Sequence, residues 1–342
     1  VANSAQLDDV PEPPVADGPI LVRTLALGVC GTDREIVSGA YGEAPRGSTR
    51  LVLGHESFGE VIEAPADSGL LPGDRLVGIV RRPDPVPCAA CAAGEWDMCR
   101  NGGYTERGIK GLDGYGAERF RVEPGFAVKV GAALGALGVL MEPASVVAKA
   151  WDHVERIGRR FGSWRPRRLL VTGTGPIGLL AALLGMQRGY EVHALDRNND
   201  GPKPRLIRDL GGHYHGGRVS DVNGLDPDVV MECTGAPPVI ADVLCRPAPS
   251  GVVCLLGIGS HSNHGFDIGG FNRTMVLDNN VVFGSVNANR GHYQMAADAL
   301  AEADQAWLGR LISRRVPLSR WQEALESRPD DIKVVVDFTL AA

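Results

Sequence analysis

The stretch Leu169-Leu-Val-Thr-Gly-Thr-Gly-Pro-Ile-Gly178-Leu-Leu-Ala-Ala-Leu-Leu-Gly185 reads as a strand, a tight glycine turn and a helix. Its apolar run begins straight after the basic pair Arg167 and Arg168, and Gly173, Gly175 and Gly178 fit G-x-G-x-x-G. In that motif the first glycine lets the chain turn. The second lets backbone approach a pyrophosphate, and the third lets the helix pack close to the strand. Pro176 and Ile177 open the helix, whose free N–H groups and dipole favour an anion. A bare G-x-G-x-x-G is a weak signal that also occurs as a chance turn or as a buried β-α unit without ligand. Here a second strand-like run, Glu191-Val-His-Ala-Leu-Asp196, follows the helix. Asp196 lies 18 residues after Gly178, near where a ribose-binding carboxylate belongs. Leu169–Met186 also carries no charge over 18 residues, but Gly-Thr-Gly-Pro interrupts it near its start and no other membrane span is read. The stretch predicts dinucleotide binding in a parallel α/β domain.

A chain of 342 residues suggests two domains at roughly 150 residues each. The formal net charge of −6 argues against a nucleic-acid partner. Basic clusters such as Arg159-Arg160 and Arg165-Pro-Arg-Arg168 read as solvated helix ends and loops. The first 30 residues hold no basic segment followed by an apolar one, so no secretory signal is read there. Seven cysteines, three of them clustered, fit metal ligation in a reducing compartment better than a disulfide framework, and a cytoplasmic protein is expected.

Along the chain, Pro11, Pro13 and Pro14 make a helix unfavourable in the lead-in. Strand-like runs follow at Ile20–Leu27, Leu51–Leu53 and Leu76–Val80, punctuated by Gly and Pro, and predict a β-rich or barrel-like module. Residues 81–116 read as a long loop region rich in Cys and Gly. From Ala144 to about Phe161 a helix is predicted, with Pro143 suited to its first turn. Strands and helices then alternate to about 286: helices at Pro204–Leu210 and Pro238–Cys245, strands at Asp228–Glu232, Gly251–Leu256 and Val281–Gly284. That alternation means a doubly wound parallel sheet. The tail reads as helices near Tyr293–Ala303 and Leu318–Ser327 and a last strand, Lys333–Phe338, returning to the first module.

Cys30, His55, Glu56 and Glu142 are far apart in sequence but of metal-ligand type. A thiolate, an imidazole and a carboxylate suit Zn2+ with a position left open. Each also has a plainer reading. Cys30 fits a small core residue, His55 a turn cap and Glu142 a solvated carboxylate at a helix start.

Cys30-Gly-Thr-Asp33, then Gly54-His-Glu56, then the G-x-G-x-x-G unit resemble the zinc-dependent medium-chain alcohol and polyol dehydrogenases. Val80-Arg-Arg-Pro83, Gly94-Glu-Trp-Asp-Met-Cys99, Glu106-Arg-Gly-Ile109 and Asp113-Gly-Tyr-Gly116 resemble their glucose dehydrogenase branch. So do Met141-Glu-Pro-Ala-Ser-Val146, Gly284-Ser-Val-Asn287 and Asp331-Ile-Lys-Val. The resemblance runs through most of the chain in the same order. It implies a GroES-like β-rich catalytic domain (1–145 and 288–342) and a Rossmann dinucleotide-binding domain (146–287). It implies catalytic zinc at Cys30, His55 and Glu56, with Glu142 as ligand or neighbour, and Thr32 beside the reacting alcohol. Glu106, Glu142 and Asn287 match positions that hold sugar hydroxyls, and Asn287 is also expected at the cofactor. Val80 stands where that branch commonly has Asn, which removes a polar contact. Cys88, Cys91 and Cys99 match three of the four cysteines of a structural zinc lobe. The fourth position is Pro85, with Asp84 beside it as a possible oxygen donor. The resemblance also suggests a dimer or tetramer, with 281–286 as a contact edge.

The implied reaction moves hydride from a sugar or polyol alcohol, for glucose from C1 to give the lactone, to a nicotinamide. It calls for Lewis acidity from zinc, a proton relay in which Thr32 and a carboxylate such as Glu56 or Glu142 take part, and alignment of the C–H bond. Asp196 would accept from ribose hydroxyls and repel a 2′-phosphate, favouring NAD, whereas Arg197 could pair with that phosphate and admit NADP. Thr234-Gly235 and Leu256-Gly257 end later strands and are expected to line the cofactor crevice. Two other readings stay open: a dehydrogenase of another polyol, cyclitol or amino sugar, and a catalytically silent nucleotide-binding or redox-responsive protein. The intact set Cys30, His55, Glu56 and Glu142 counts against the second.

Overall fold

Ten residues of nearly unbroken apolar character form β1 (Ile20–Val29), the strand around which the first unit assembles. The computed structural model describes residues 2–259 and 264–341. After β1 come α1 (Gly31–Ser38), β2 (Glu56–Glu63), β3 (Arg75–Gly78), β4 (Arg81–Arg82), α2 (Ala89–Ala92), β5 (Thr105–Arg107), β6 (Gly111–Leu112), β7 (Arg119–Val122) and β8 (Ala127–Lys129). A helix, α3 (Met141–Gly158), leads into β9 (Arg168–Thr172), α4 (Pro176–Gln187), β10 (Glu191–Asp196), α5 (Pro202–Asp209) and β11 (His213–Gly216). Then follow β12 (Val229–Glu232), α6 (Pro237–Val243), β13 (Val252–Leu255), α7 (Ile268–Leu277) and β14 (Val281–Gly284). The tail holds α8 (Arg290–Glu302), α9 (Gln305–Gly309), β15 (Ile312–Pro317), α10 (Gln322–Leu325) and β16 (Lys333–Asp337).

The chain divides into two compact units, Val1–Ser145 with Asn287–Ala342, and Val146–Val286. In the first, β1 pairs along its length with β2. Its opening residues Ile20–Arg23 pair with β7, and its closing residues Ala26–Val29 with β16, all antiparallel. A register shift between Thr24 and Ala26 bends the strand where the partner changes. The order β15-β16-β1-β2-β3-β8, with β7 on β1, makes seven strands. Ile20, Val22, Leu76, Tyr115, Phe120 and Val334 are among the side chains filling its core.

The second unit is a six-stranded sheet in the order β11-β10-β9-β12-β13-β14, every pairing parallel. The order reverses between β9 and β12, and at such a switch point ligands bind beyond the carboxyl ends of the strands. Gly173 follows β9 in the left-handed region at φ 83°. A Cβ on Gly178 would overlap the Gly173 carbonyl oxygen, whereas Gly175 has open space around it.

Several local expectations differ from the structure. Leu51–Leu53 joins no strand, because the Val52 and Leu53 carbonyls accept instead from Gly114 N at 2.7 Å and Gly116 N at 2.8 Å. The helix expected at 318–327 is a 3-10 turn, Leu318–Arg320, and the short α10. Two helices carry no sequence signal because neither buries an apolar face: α1 buries only Asp33, and α7 buries nothing. A second apolar run, Ala132–Gly158, is long enough to cross a bilayer by length and composition. It is interrupted at Gly135, and 67% of its apolar window is buried in the fold.

The contrast between two glycines is testable. Gly178→Ala is expected to cost about 1–3 kcal/mol of stability through overpacking. Gly175→Ala is expected to stay within about 0.5 kcal/mol in the absence of ligand but to weaken dinucleotide binding. Urea unfolding and dinucleotide titration of both variants check this.

Candidate functional site

β1 ends at Val29 and the chain turns through Cys30 into α1. The Cys30 N–H donates to Asp33 Oδ2 at 2.9 Å, the reach-back of an acidic residue in a helix's first turn. Asp33 Oδ1 faces His55 Nδ1 at 3.4 Å, and the other ring nitrogen, Nε2, lies 3.2 Å from Cys30 Sγ. One donor atom each from Cys30, His55 and Glu56 falls within 4.8 Å of the others. Thr32 sits half-buried in the first turn of α1.

Glu56 begins β2 opposite Gly28 on β1. A Cβ at Gly28 would overlap the Glu56 carboxylate, so the bare backbone there makes room for it. Both carboxylate oxygens meet Lys333 Nζ at 2.6 Å, and Lys333 also lies 3.4 Å from the Val29 carbonyl. Glu56 is 2% and Lys333 1% exposed. Burial works against each charge here. The Asp33 and Cys30 charges outweigh it at His55 and hold its pKa well above the ordinary imidazole value. Glu56 does the same for Lys333. Glu142, near the start of α3, is pushed up to about 7 by burial and by the neighbouring Glu56 charge.

The donor set fits Zn2+. Three carboxylates and a thiol share the pocket with one permanent cation, Lys333, so a divalent ion relieves the anionic excess. The Cys30–His55 spacing is near the roughly 3.5 Å ligand–ligand edge that tetrahedral Zn–S and Zn–N bonds impose. Asp33 on the far ring nitrogen of His55 is the outer-shell arrangement that orients a ligating imidazole.

Glu106, on β5, gathers three donors on Oε1: Arg81 Nε at 3.1 Å, Arg81 Nη2 at 3.0 Å and Asn287 Nδ2 at 2.8 Å. Arg81 stacks over the Tyr104 ring at 3.8 Å. Asn287 adopts φ 63° and lies in the same unit as Glu106. Val80 is 2% exposed and packs as core.

In the second unit, Asp196 ends β10. Its Oδ2 accepts from Thr174 N at 2.9 Å and Thr174 Oγ1 at 2.6 Å, and its Oδ1 from Arg197 N at 2.7 Å. Burial raises its pKa, but the Thr174 and Arg197 bonds prevail and hold it below the usual carboxylate range. Lys203 Nζ stands 3.9 Å away, and the Arg197 side chain is exposed. At the end of β12, the fully buried Glu232 accepts from Thr172 Oγ1 at 3.3 Å, Thr234 N at 2.7 Å, Thr234 Oγ1 and Gly235 N at 3.1 Å. Leu256 and Gly257 N–H groups donate to its main-chain oxygen. Gly173, Thr234, Gly235 and Gly257 thereby come together, and side chains on the last two would collide with neighbouring backbone.

Cys88, Cys91 and Cys99 form a second group within 4.8 Å. Arg100 N donates to Cys88 Sγ at 3.4 Å, and this bond, with one from the Cys91 backbone, lowers the thiol to about 6. Asp84 lies outside the group, its Oδ1 accepting from Val86 N at 2.8 Å.

Lys333, Asp33, Gly28, Arg81 and Glu232 are the residues that sequence reasoning left without a role. Lys333 carried the clearest signal, a lone cation opening the apolar run Lys333-Val-Val-Val.

Two family models match the chain. One, described as the alcohol dehydrogenase GroES-like domain, covers residues 16–132. The second, described as the glucose dehydrogenase C-terminus, covers 135–338, so the chain belongs to the glucose dehydrogenase family of GroES-like alcohol dehydrogenases. It is 41% identical to glucose 1-dehydrogenase of Thermoproteus tenax and 38% identical to that of Methanocella arvoryzae, each over 98% of this chain and 96% of the relative. Among solved structures it is similar to Haloferax mediterranei glucose dehydrogenase in complex with NADP, Zn and gluconolactone. That match has TM-score 0.89 and 33% identity over 98% of this chain and 96% of that one.

Lys333→Met is expected to cost about 3–5 kcal/mol, since it strands a buried carboxylate. Adding Glu56→Gln is expected to restore most of the loss. Denaturant unfolding of the single and double variants measures both.

Proposed function

We propose that the chain oxidises the C1 hydroxyl of D-glucose to the lactone and passes the hydride to a nicotinamide dinucleotide. The observation that carries the reading is the convergence of Cys30, His55 and Glu56 in a chain whose full-length relatives are glucose 1-dehydrogenases. In this reading residues 1–145 with 287–342 form the catalytic unit, and 146–286 bind the dinucleotide.

Cys30, His55 and Glu56 would hold zinc, with Glu142 as ligand or neighbour. When bound, zinc supplies Lewis acidity that makes the alcohol easier to deprotonate. Asp33 fixes the His55 ring, and Lys333 holds both oxygens of the Glu56 carboxylate in place. Thr32, with Glu56 and Glu142, takes the proton-relay role by its place beside Cys30. Glu106 and Asn287 meet at 2.8 Å and would share the sugar hydroxyls, with Arg81 holding the carboxylate in position. Asn287 serves the sugar in this reading, and a cofactor role for it stays secondary.

The dinucleotide is assigned to Gly173, Gly175, Pro176, Ile177, Gly178, Thr234, Gly235, Leu256 and Gly257, with Asp196 at the ribose. The Thr174 bonds fix Asp196 as a negative charge at the end of β10, which favours NAD over NADP. Arg197 and Lys203 pull the other way, as does the NADP bound to the Haloferax relative. Val80 favours a second substrate reading, another polyol, cyclitol or amino sugar, because it withdraws a polar contact. In the cysteine lobe, three thiolates would leave a bound zinc one position open. β14 lies at a sheet edge beside the half-exposed Val286, which supports homo-oligomer contact there. Seven free thiols support a reducing compartment.

Steady-state oxidation of D-glucose by the zinc-loaded chain, with NAD and NADP side by side, is expected to give turnover with NAD ahead. No turnover with either, but turnover of another polyol, would move the substrate and keep the metal chemistry. Cys30→Ala and His55→Ala are expected to lose zinc and about 10^3-fold in kcat, the rate equivalent of about 4 kcal/mol of lost charge stabilisation. Full activity in a metal-free variant would end the zinc reading. Asp196→Gly is expected to shift preference toward NADP by about tenfold, read as the ratio of kcat/KM values. No shift would remove the ribose role.

A further inference from the structure

β11 is an edge strand of the six-stranded sheet, and two of its four residues are histidines. Residues two apart on a strand share a face, so His213 and His215 lie on one face of β11, and Glu191, His193 and Leu195 on one face of β10. The parallel register sets His193 opposite His213 and Leu195 opposite His215. The His193 ring stacks on His213 at 4.7 Å between centroids and lies nearly parallel to His215, edge to edge, at 5.2 Å. His193 Nδ1 lies 2.9 Å from His215 Nε2, and its other nitrogen lies 3.2 Å from Glu191 Oε1. One donor atom each from Glu191, His193 and His213 falls within 4.8 Å of the others. His193 is 8% exposed, while Glu191 and His213 stand open to solvent.

Glu191 opens β10 and Asp196 closes it, so five residue steps, about 16 Å, set Glu191 apart from the proposed ribose position. We propose that Glu191, His193 and His213 form a binding site for a divalent transition-metal ion such as Zn2+ or Ni2+, with His215 as the positioning residue for the His193 ring.

The chemistry of the donors supports this. Imidazole nitrogen suits Zn, Ni and Cu, and a carboxylate adds the charge that a neutral imidazole pair lacks. The 3.2 Å from Glu191 Oε1 to His193 Nε2 is close to the roughly 3.3 Å edge of a tetrahedron with bonds of 2.0–2.1 Å. The His193 Nδ1–His215 contact is the outer-shell bond that fixes a ligating histidine's tautomer and leaves Nε2 for the metal. Arg168 is the cation that faces Glu191, its Nε 3.4 Å from Oε2. It is also tied to the Leu225 carbonyl at 2.9 Å, so it sits on the far oxygen and leaves Oε1 for the ion. Three protein ligands leave the remaining positions to solvent. The ion would join β10 to β11 and hold the edge strand in place.

The probe is Ni2+, titrated calorimetrically into the tag-free, zinc-loaded full chain, with bound nickel counted by elemental analysis after desalting. Wild type is expected to bind one more Ni2+ per chain than His213→Gln, with micromolar affinity, and to gain a rise in Tm that His213→Gln lacks. Glu191→Gln is expected to weaken binding at least tenfold. His215→Phe keeps a ring but removes the nitrogen, and is expected to weaken it by about 10–100-fold. His213 and Glu191 are exposed, so their variants are expected to fold, which far-UV circular dichroism checks. Equal nickel count and affinity in wild type and both variants would overturn the proposal. So would a wild-type site that fills only at millimolar nickel.

Discussion

The Glu56 carboxylate crosses the bare backbone of Gly28 to reach the Lys333 ammonium, and the first unit is arranged around that meeting. Three strands contribute to it: β2 gives the acid, β1 the gap, and β16 the cation. Their residues come from both ends of the chain, so the pair forms only when β16 has returned to lie against β1. An isolated buried charge is costly, and two buried charges are tolerable only at close contact with further hydrogen bonds. Both conditions hold here, with both oxygens at 2.6 Å and the Val29 carbonyl beside the ammonium. β1 runs on into Cys30 and β2 begins one residue after His55, so the pairing that seats Glu56 also brings thiol and imidazole to 3.2 Å.

The second unit uses carboxylates at strand ends for a different purpose. Asp196 and Glu232 end the strands on either side of β9, and each turns its oxygens onto N–H and O–H groups of the next loop. Charge-assisted bonds of this kind are stronger than neutral ones. They hold the glycine loop and the Thr234-Gly235 turn without bulk, which leaves the strand ends open. Asp196 thus has two tasks. One carboxylate braces Thr174 and, in the proposed reading, would also set the charge beside the ribose, so a substitution made to change cofactor choice would also loosen the loop.

The two cysteine-bearing groups show what a closed shell requires. Cys30 has an imidazole, a carboxylate and outer partners on every side. Cys88, Cys91 and Cys99 have each other and backbone donors, and Asp84 turns one oxygen to Val86 N instead of joining them. Both groups cluster thiols or thiol and imidazole within the same distance.

The parallel sheet was legible in the chain because strand, glycine turn and helix each leave a periodic or compositional trace over ten or more residues. The acidic end of β10 and the glycine spacing were legible for the same reason, being set within one β-α-β unit. Cys30, His55 and Glu56 were legible as ligand types, though spacing alone favoured a core cysteine and a capping histidine over a shared site. Helices α1 and α7 left no trace, since a helix that buries no apolar face has no period to read. Leu51–Leu53 misled because an extended apolar run looks the same whether its carbonyls meet a strand or a glycine loop. Lys333 stood out as a lone cation on an apolar run, but its pairing with Glu56, 277 residues away, lay beyond any sequence rule. What the sequence by itself determined were local conformations and the kinds of donor available. Which donors meet was decided by the tertiary structure, because a buried charge finds its partner only once distant strands have closed around it.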